Sequence, residues 1–126
     1  MHKSQLAGFI IDCRTDELDE AAEFWSAALG MKAEKDPLSD QSKYRRLETR
    51  PEEWDIEVQK VDHASRVHLD IETDNVTAEV ERLETLGARR IHDVHSWVVM
   101  EAPTGQRFCV VKKFRPQFDE TANSWD

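Results

Sequence analysis

Two rhythms of apolar and polar residues run along this chain, and the pair is written twice. Alternation with a period of two, the mark of a strand with unlike faces, covers Ala7 to Cys13 and again Val67 to Glu72. Each alternating stretch leads into a segment where apolar residues recur every three to four positions. In LDEAAEFWSAALG the stripe is Leu18, Ala21, Ala22, Trp25, Ala28 and Leu29; in VTAEVERLETLG it is Val76, Val80, Leu83 and Leu86. That spacing predicts two amphipathic helices lying on a sheet. Asp16 precedes the first helix, and Asp74 with Asn75 the second, where side-chain oxygens can cap free N–H groups. Both segments end in Leu-Gly, with Gly30 and Gly87 suited to the left-handed turn that stops a helix. Strand-like segments follow each helix: Met31 to Asp36, Tyr44 to Thr49 and Trp54 to Val61, then Ala88 to Val94, Trp97 to Ala102 and Gln106 to Lys112. Pro103-Thr104-Gly105 predicts a turn between the last two strands, and DPLSDQSK and RPEE read as loops. The tail beyond Phe114 shows no periodicity.

A β-α-β-β-β unit written twice predicts one α+β domain over residues 1–114, with modules at about 5–62 and 65–113 and a tail at 115–126. Strand parity then sorts the side chains. Val67, Leu69 and Ile71 are expected under the second helix, with His68, Asp70 and Glu72 on the other face. By the same rule Phe9 and Ile11 oppose Asp12, Ile56 and Val58 oppose Asp55, Glu57 and Gln59, and Phe108 and Val110 oppose Arg107 and Cys109. A solvated face of an antiparallel sheet gives the same alternation. The doubling favours a second origin, in which two half-sheets curve toward each other and enclose their polar faces in a cleft.

Charge narrows the partners. Against 17 basic residues stand 26 acidic ones, a net charge of −9. Nucleic acid and anionic membrane both require clustered Lys and Arg, and Lys112, Lys113 and Arg115 are too few to supply it. No apolar run approaches the roughly 20 residues of a spanning helix, and MHKSQLAGFIID does not read as a signal peptide. Two cysteines, Cys13 and Cys109, are too few for a disulfide framework, so a reducing cytoplasm is the expected home.

DCRTDELDEAAEFWSAALG, RVHLDIETDNVTAEVERLETLGA and WVVMEAPTGQRFCVV together resemble the vicinal oxygen chelate superfamily, the glyoxalase and bleomycin-resistance fold, in its glyoxalase-like subgroup. The resemblance implies two βαβββ modules in a curved, mostly antiparallel sheet, a small-molecule ligand on its concave side, and a homodimer. Metal-using members place ligands on the first and last strands of each module, which fall here at Ile10, Glu57, His68 and Cys109. Ile10 cannot bind a metal, and Cys109, in QRFCV, stands where the usual ligand is glutamate. The octahedral quartet of a glyoxalase I is thereby broken, and the two-histidine-one-carboxylate iron site of an extradiol dioxygenase is missing from its expected places. The expectation is therefore no cofactor and no tightly bound metal, with a Glu57-His68-Cys109 zinc site as the alternative.

Individual residues carry competing expectations. His68 can hold an anion or shuttle a proton, or serve as a hydrogen-bonded structural histidine. Asp12 and Asp70 occupy equivalent places in the two modules and can act as acid and base, or brace a loop or an arginine such as Arg66 or Arg107. Cys109 is a nucleophile if a base activates it and a small core residue otherwise. Cys13 and Trp25 are expected in the core, and His2 and His63 in solvent. His92 and His95, three apart on a strand, make no metal pair, while Trp97 and Tyr44 begin equivalent strands and can line the cleft. The resulting expectation is a protein that handles a small organic molecule, with His68, Asp70 and Asp12 catalytic and Glu57, Arg107 and Cys109 binding the ligand. As an enzyme it would be a lyase or isomerase. The alternatives are a metal-dependent lyase or isomerase using Glu57 and His68, and a sequestering protein of the bleomycin-resistance kind.

Overall fold

The computed structural model describes residues 1–34 and 43–126. Its elements in chain order are β1 (His2–Arg14), α1 (Leu18–Leu29), β2 (Tyr44–Leu47), β3 (Asp55–Val61), β4 (Arg66–Thr73), α2 (Val76–Thr85), β5 (Arg89–Val94), β6 (Trp97–Glu101), β7 (Arg107–Lys112), α3 (Phe118–Thr121) and β8 (Asn123–Trp125). The α+β class expected from the sequence is the observed one. Two compact units share the chain: Phe9–Val67 forms one, and Met1–Gly8 with His68–Asp126 forms the other.

In the unit of Phe9–Val67, β2 pairs antiparallel with β3, which neighbours β1. Leu18, Leu47 and Val58 form its core, with Cys13, Ala21, Trp25 and Ile56 packed against them. The first two turns of the α1 stripe thus point where their spacing predicts, while Ala28 and Leu29 at its end are exposed. Gly30 ends α1 at φ 68°. The start of α1 differs from expectation: Asp16 makes no cap, and the Glu17 N–H donates instead to Thr15 Oγ1 at 2.9 Å. Of the strand expected at Met31 to Asp36, the described part contributes a single bridge, Ala33 to Leu47. Its last two residues, and DPLSDQSK apart from Lys43, lie outside the described residues.

In the other unit the strand order is β4-β7-β6-β5, with β4 and β7 parallel and the remaining pairs antiparallel. Val80, Leu83, Val98, Met100 and Val110 form the core, with Ile71 and Phe108 packed against it. Asn75 caps α2, its side chain accepting from the Ala78 N–H at 3.0 Å. Gly87 follows the helix at φ 105°, and a Cβ there would come within 3.2 Å of the Pro103 ring. Glycine is needed at this position on both counts.

Three expectations need correction. Val67 and Leu69 do not pack under α2: they are 60 % and 44 % exposed, and only Ile71 at the far end of β4 reaches the core. The first half of the run is therefore left uncovered by the core of this unit. His2 is buried rather than solvated, bonded through Nε2 to Glu79 Oε1 at 2.8 Å. The tail is ordered structure. Its β8 pairs antiparallel with the first residues of β1, Phe118 is buried, and the Trp125 indole donates to Ser4 Oγ at 2.8 Å while stacking 3.9 Å from the Arg82 guanidinium. This also explains why β1 begins at His2 and not at Ala7. Its first residues are polar, but they are buried by partners at the far end of the chain.

Candidate functional site

Register decides which polar residues meet. On the parallel pair β4 and β7, Asp70 lies beside Cys109. His68 and Arg107 each stand two residues earlier, hence on the same face of the sheet. Their neighbours of opposite parity, Ile71, Phe108 and Val110, belong to the core, so the backbone carrying these side chains is clamped from behind.

The result is a tight cluster. His68 Nε2 lies 3.5 Å from Asp70 Oδ1 and 3.8 Å from Cys109 Sγ, and the three donor atoms all fall within 4.8 Å of one another. Asp70 Oδ1 is buried and has no hydrogen-bond partner among the described residues. An unsatisfied buried acceptor costs on the order of 1–3 kcal/mol, and Asp12 Oδ1 in the other unit stands in the same condition. Carboxylate and thiol both address the same ring nitrogen, Nε2. A nucleophile–base–orienter relay places its outer partners on opposite ring nitrogens, whereas Asp70 and Cys109 converge on one.

Beside the cluster runs a row of charge. Arg107 Nε donates to Glu101 Oε2 at 3.0 Å, and Arg89 donates to Glu101 Oε1 through Nε at 3.1 Å and Nη2 at 2.9 Å. Hydrogen bonds from Arg89 and then Arg107 hold the Glu101 carboxyl below the ordinary glutamate range. The pairing follows from the hairpin: β6 and β7 oppose Glu101 to Arg107, and β5 and β6 oppose Arg89 to Glu101. Sequence reasoning singled out Arg107 but passed over Glu101 and Arg89. Counting outward from the Pro103-Thr104-Gly105 turn was the signal that could have found them.

The other two expected site residues belong to the unit of Phe9–Val67. Asp12 is 2 % exposed and ion-paired with Arg66 Nε at 3.6 Å. Glu57 faces Arg46 across β2 and β3, with Nη2 at 3.7 Å, while Arg46 Nε also meets Asp55 at 3.1 Å. Tyr44, on the same face, has its hydroxyl bonded by Gln59 Nε2 at 2.9 Å. Cys13 packs against the core as expected. Burial pushes its thiol pKa up, with Asp12 adding to the effect against a lowering contact from Trp25. His92 lies on β5 and His95 in the following turn at φ 50°, so the two do not share a strand.

Solved structures share this fold. A hypothetical protein from Bacillus halodurans C-125 matches with TM-score 0.65 at 16% identity, over 88% of this chain and 95% of that one. Methylmalonyl-CoA epimerase from Mycobacterium tuberculosis matches with TM-score 0.61 at 16% identity, over 86% and 87%. The 2,2',3-trihydroxybiphenyl 1,2-dioxygenase of Sphingomonas wittichii strain RW1 matches with TM-score 0.57 at 18% identity, over 90% of this chain and 42% of that one. No functionally curated protein matches the chain. The model of the glyoxalase-like domain matches residues 8–111. With most of its length covered by that match, and with the fold of the relatives above, the chain belongs to the glyoxalase-like domain family of the vicinal oxygen chelate superfamily.

Proposed function

We propose that this chain is an enzyme of the lyase or isomerase type, acting on a small organic carbonyl compound at the His68–Asp70–Cys109 cluster. The cluster holds a divalent ion of the zinc class. One observation carries the reading: three donors converge at metal-site spacing around one buried carboxylate oxygen that has no hydrogen-bond partner among the described residues. Zinc bonds of about 2.0–2.3 Å in a tetrahedral arrangement separate neighbouring donors by about 3.3–3.7 Å. The observed 3.5 Å between His68 Nε2 and Asp70 Oδ1 falls within that range, 3.8 Å between Nε2 and Cys109 Sγ lies just above it, and all three donors are within 4.8 Å of one another.

The donor chemistry agrees. A cysteine thiolate selects zinc-class ions over magnesium or calcium, and three protein donors is the count of catalytic zinc, not of closed structural sites. A bound ion of this class supplies Lewis acidity toward a substrate oxygen. The chain's own contribution is to hold the three donors on strands anchored from behind by the core. This departs from the metal-free expectation because Asp70 supplies a third donor, without Ile10 or Glu57. An epimerase and a dioxygenase among the fold relatives place two reaction types on one scaffold, so the fold does not choose between them. The donor set here contains one histidine and a thiolate, which speaks against the iron chemistry of a dioxygenase.

A metal-free reading rests on the same 3.5 Å contact, which a shared proton between Asp70 and His68 also explains. Metal content separates the two. Protein purified without a metal-affinity tag is expected to carry close to one zinc-class ion per chain, lost in His68→Ala. Negligible metal after incubation with divalent ions would overturn the metal reading and favour the shared proton or a sequestering binder. A homodimer, and a cytoplasmic home, belong to this proposal as well. No helix is long and apolar enough to cross a membrane among the described residues, and light scattering on the purified chain tests the dimer.

A further inference from the structure

The charged row beside the cluster has a second use. Arg107 spends only Nε on Glu101, and its two terminal amino groups have no bond among the described residues. Its side chain is 34% exposed, so those donors are accessible yet fixed in direction. Arg89 sits on the other oxygen of Glu101, so the row carries two guanidinium groups against one carboxylate. An excess positive charge is kept here on a chain whose net charge is −9.

We infer that Arg107, held by Glu101 and backed by Arg89, is the anion subsite of the reaction centre, and that the substrate is a short organic acid or phosphate ester with its carbonyl at the cluster. The inference rests on the reading of His68–Asp70–Cys109 as the reaction centre. A guanidinium anchored through Nε offers its paired terminal N–H groups as a fork that matches the two oxygens of a carboxylate or phosphate. Glu101 does for Arg107 what a supporting shell does for any binding group: it locks the rotamer, so little freedom is lost when ligand arrives. Strand geometry sets the substrate's length. Arg107 and Cys109 are two residues apart on β7, a Cα separation of roughly 6–7 Å. A carboxylate or phosphate within a few bonds of the reacting carbonyl spans that interval, whereas a long chain between the two groups would not.

The test uses 4-oxopentanoate, whose carbonyl lies three bonds from its carboxylate, and its neutral methyl ester as probes, with binding followed by NMR through the Arg107 Nε–H resonance and by calorimetry, in zinc-loaded and in EDTA-treated protein. The acid is expected to bind at least about tenfold tighter than the ester, a gap that closes in Arg107→Gln and narrows in Arg107→Lys, which keeps charge but loses the fork. Glu101→Gln is expected to weaken the acid without affecting the ester. Arg90→Gln, removing an exposed arginine paired with Asp93 elsewhere on β5, is expected to leave both unchanged. Equal or absent binding of acid and ester in wild type, or preference for the acid persisting in Arg107→Gln, overturns the inference. Failure of the reaction-centre reading looks different: preference for the acid still depends on Arg107, while Cys109→Ser and zinc removal change neither probe.

Discussion

Asp70 should cost the empty protein stability and repay it only when metal arrives, so that one substitution changes sign between two buffers. Asp70→Asn keeps the shape of the side chain, removes the charge, and gives the buried position an N–H donor that can reach His68 Nε2 in place of an acceptor without a partner. Relief of an unsatisfied buried oxygen is worth on the order of 1–3 kcal/mol. Part of that is offset by the lost attraction to His68, so a gain of about 1 kcal/mol in EDTA is expected, several degrees in Tm for a 126-residue chain. Zinc at a hundred times its dissociation constant adds about 2.7 kcal/mol to wild type by mass action. Asp70→Asn, left with two good donors, gains little of it, and the order of stabilities reverses. Urea unfolding of both proteins in EDTA and in zinc measures all four values. Destabilisation of Asp70→Asn in EDTA by more than about 1 kcal/mol would show that the carboxylate is already satisfied as partner to a charged His68, and an equal zinc effect on both proteins would remove Asp70 from the donor set.

Other consequences follow from the same structure. Glu79 is fully buried, accepting from Arg82 at 2.8 and 2.9 Å and from His2 at 2.8 Å; burial raises its pKa, but the hydrogen bonds from Arg82, His2 and Ser4 outweigh this and leave it below the usual range. Glu79→Gln should therefore cost about 2–4 kcal/mol at neutral pH. Because the folded pKa is depressed, that contribution is fully present above the unfolded value of about 4.3 and is lost as pH falls through the folded one, so the gap between the two proteins in urea unfolding should close in acid and not in base. Trp125→Ala removes the stack on Arg82 and the bond to Ser4, and hydrogen exchange should show β8 and the first residues of β1 opening together while β6 and β7 stay protected; loss of protection throughout would contradict a local latch. Iodoacetamide should label Cys13 slowly at neutral pH, because burial raises its thiol pKa, and zinc should protect Cys109 while leaving the Cys13 rate unchanged.

Much of the fold was legible because helices and half-buried strands write their faces into a period. The stripes of α1 and α2 named most of the residues that reach the two cores, though Ala28, Leu29 and Leu86 at the helix ends are exposed, and Leu-Gly marked both helix ends. What stayed hidden depends on contacts between distant positions. His2 and Ser4 read as the polar start of a loose terminus, yet their partners, Glu79 and Trp125, are 77 and 121 residues away. Local pattern cannot see such a partner, so β1 was placed too late in the chain and the tail was read as irregular. The run from Val67 to Ile71 failed for a different reason: parity assigns a face, but it does not say how far along that face the core extends.

The candidate site divides along the same line. Parity placed His68, Asp70, Arg107 and Cys109 on one face, which the structure shares. It could not say that Asp70 and Cys109 are neighbours, because the parallel register of β4 and β7 joins segments almost 40 residues apart by way of a helix and a hairpin. Weighing metal ligands one position at a time offered Glu57, which lies opposite Arg46 on β2, and left Asp70 unconsidered as a donor. The carboxylate beside the histidine and the thiol comes from the histidine's own strand.

Cobalt(II) titration of metal-free protein examines the site most directly, since the ion reports its own ligands. One equivalent per chain is expected to produce a near-ultraviolet thiolate-to-cobalt charge-transfer band and intense visible bands of a four-coordinate ion. The charge-transfer band should vanish in Cys109→Ser and persist in Cys13→Ser, and His68→Ala and Asp70→Asn should each weaken binding by about tenfold or more. Weak visible absorption of an octahedral ion with no thiolate band, unchanged by substitution of His68, Asp70 or Cys109, would contradict the assignment of these three side chains as a metal centre.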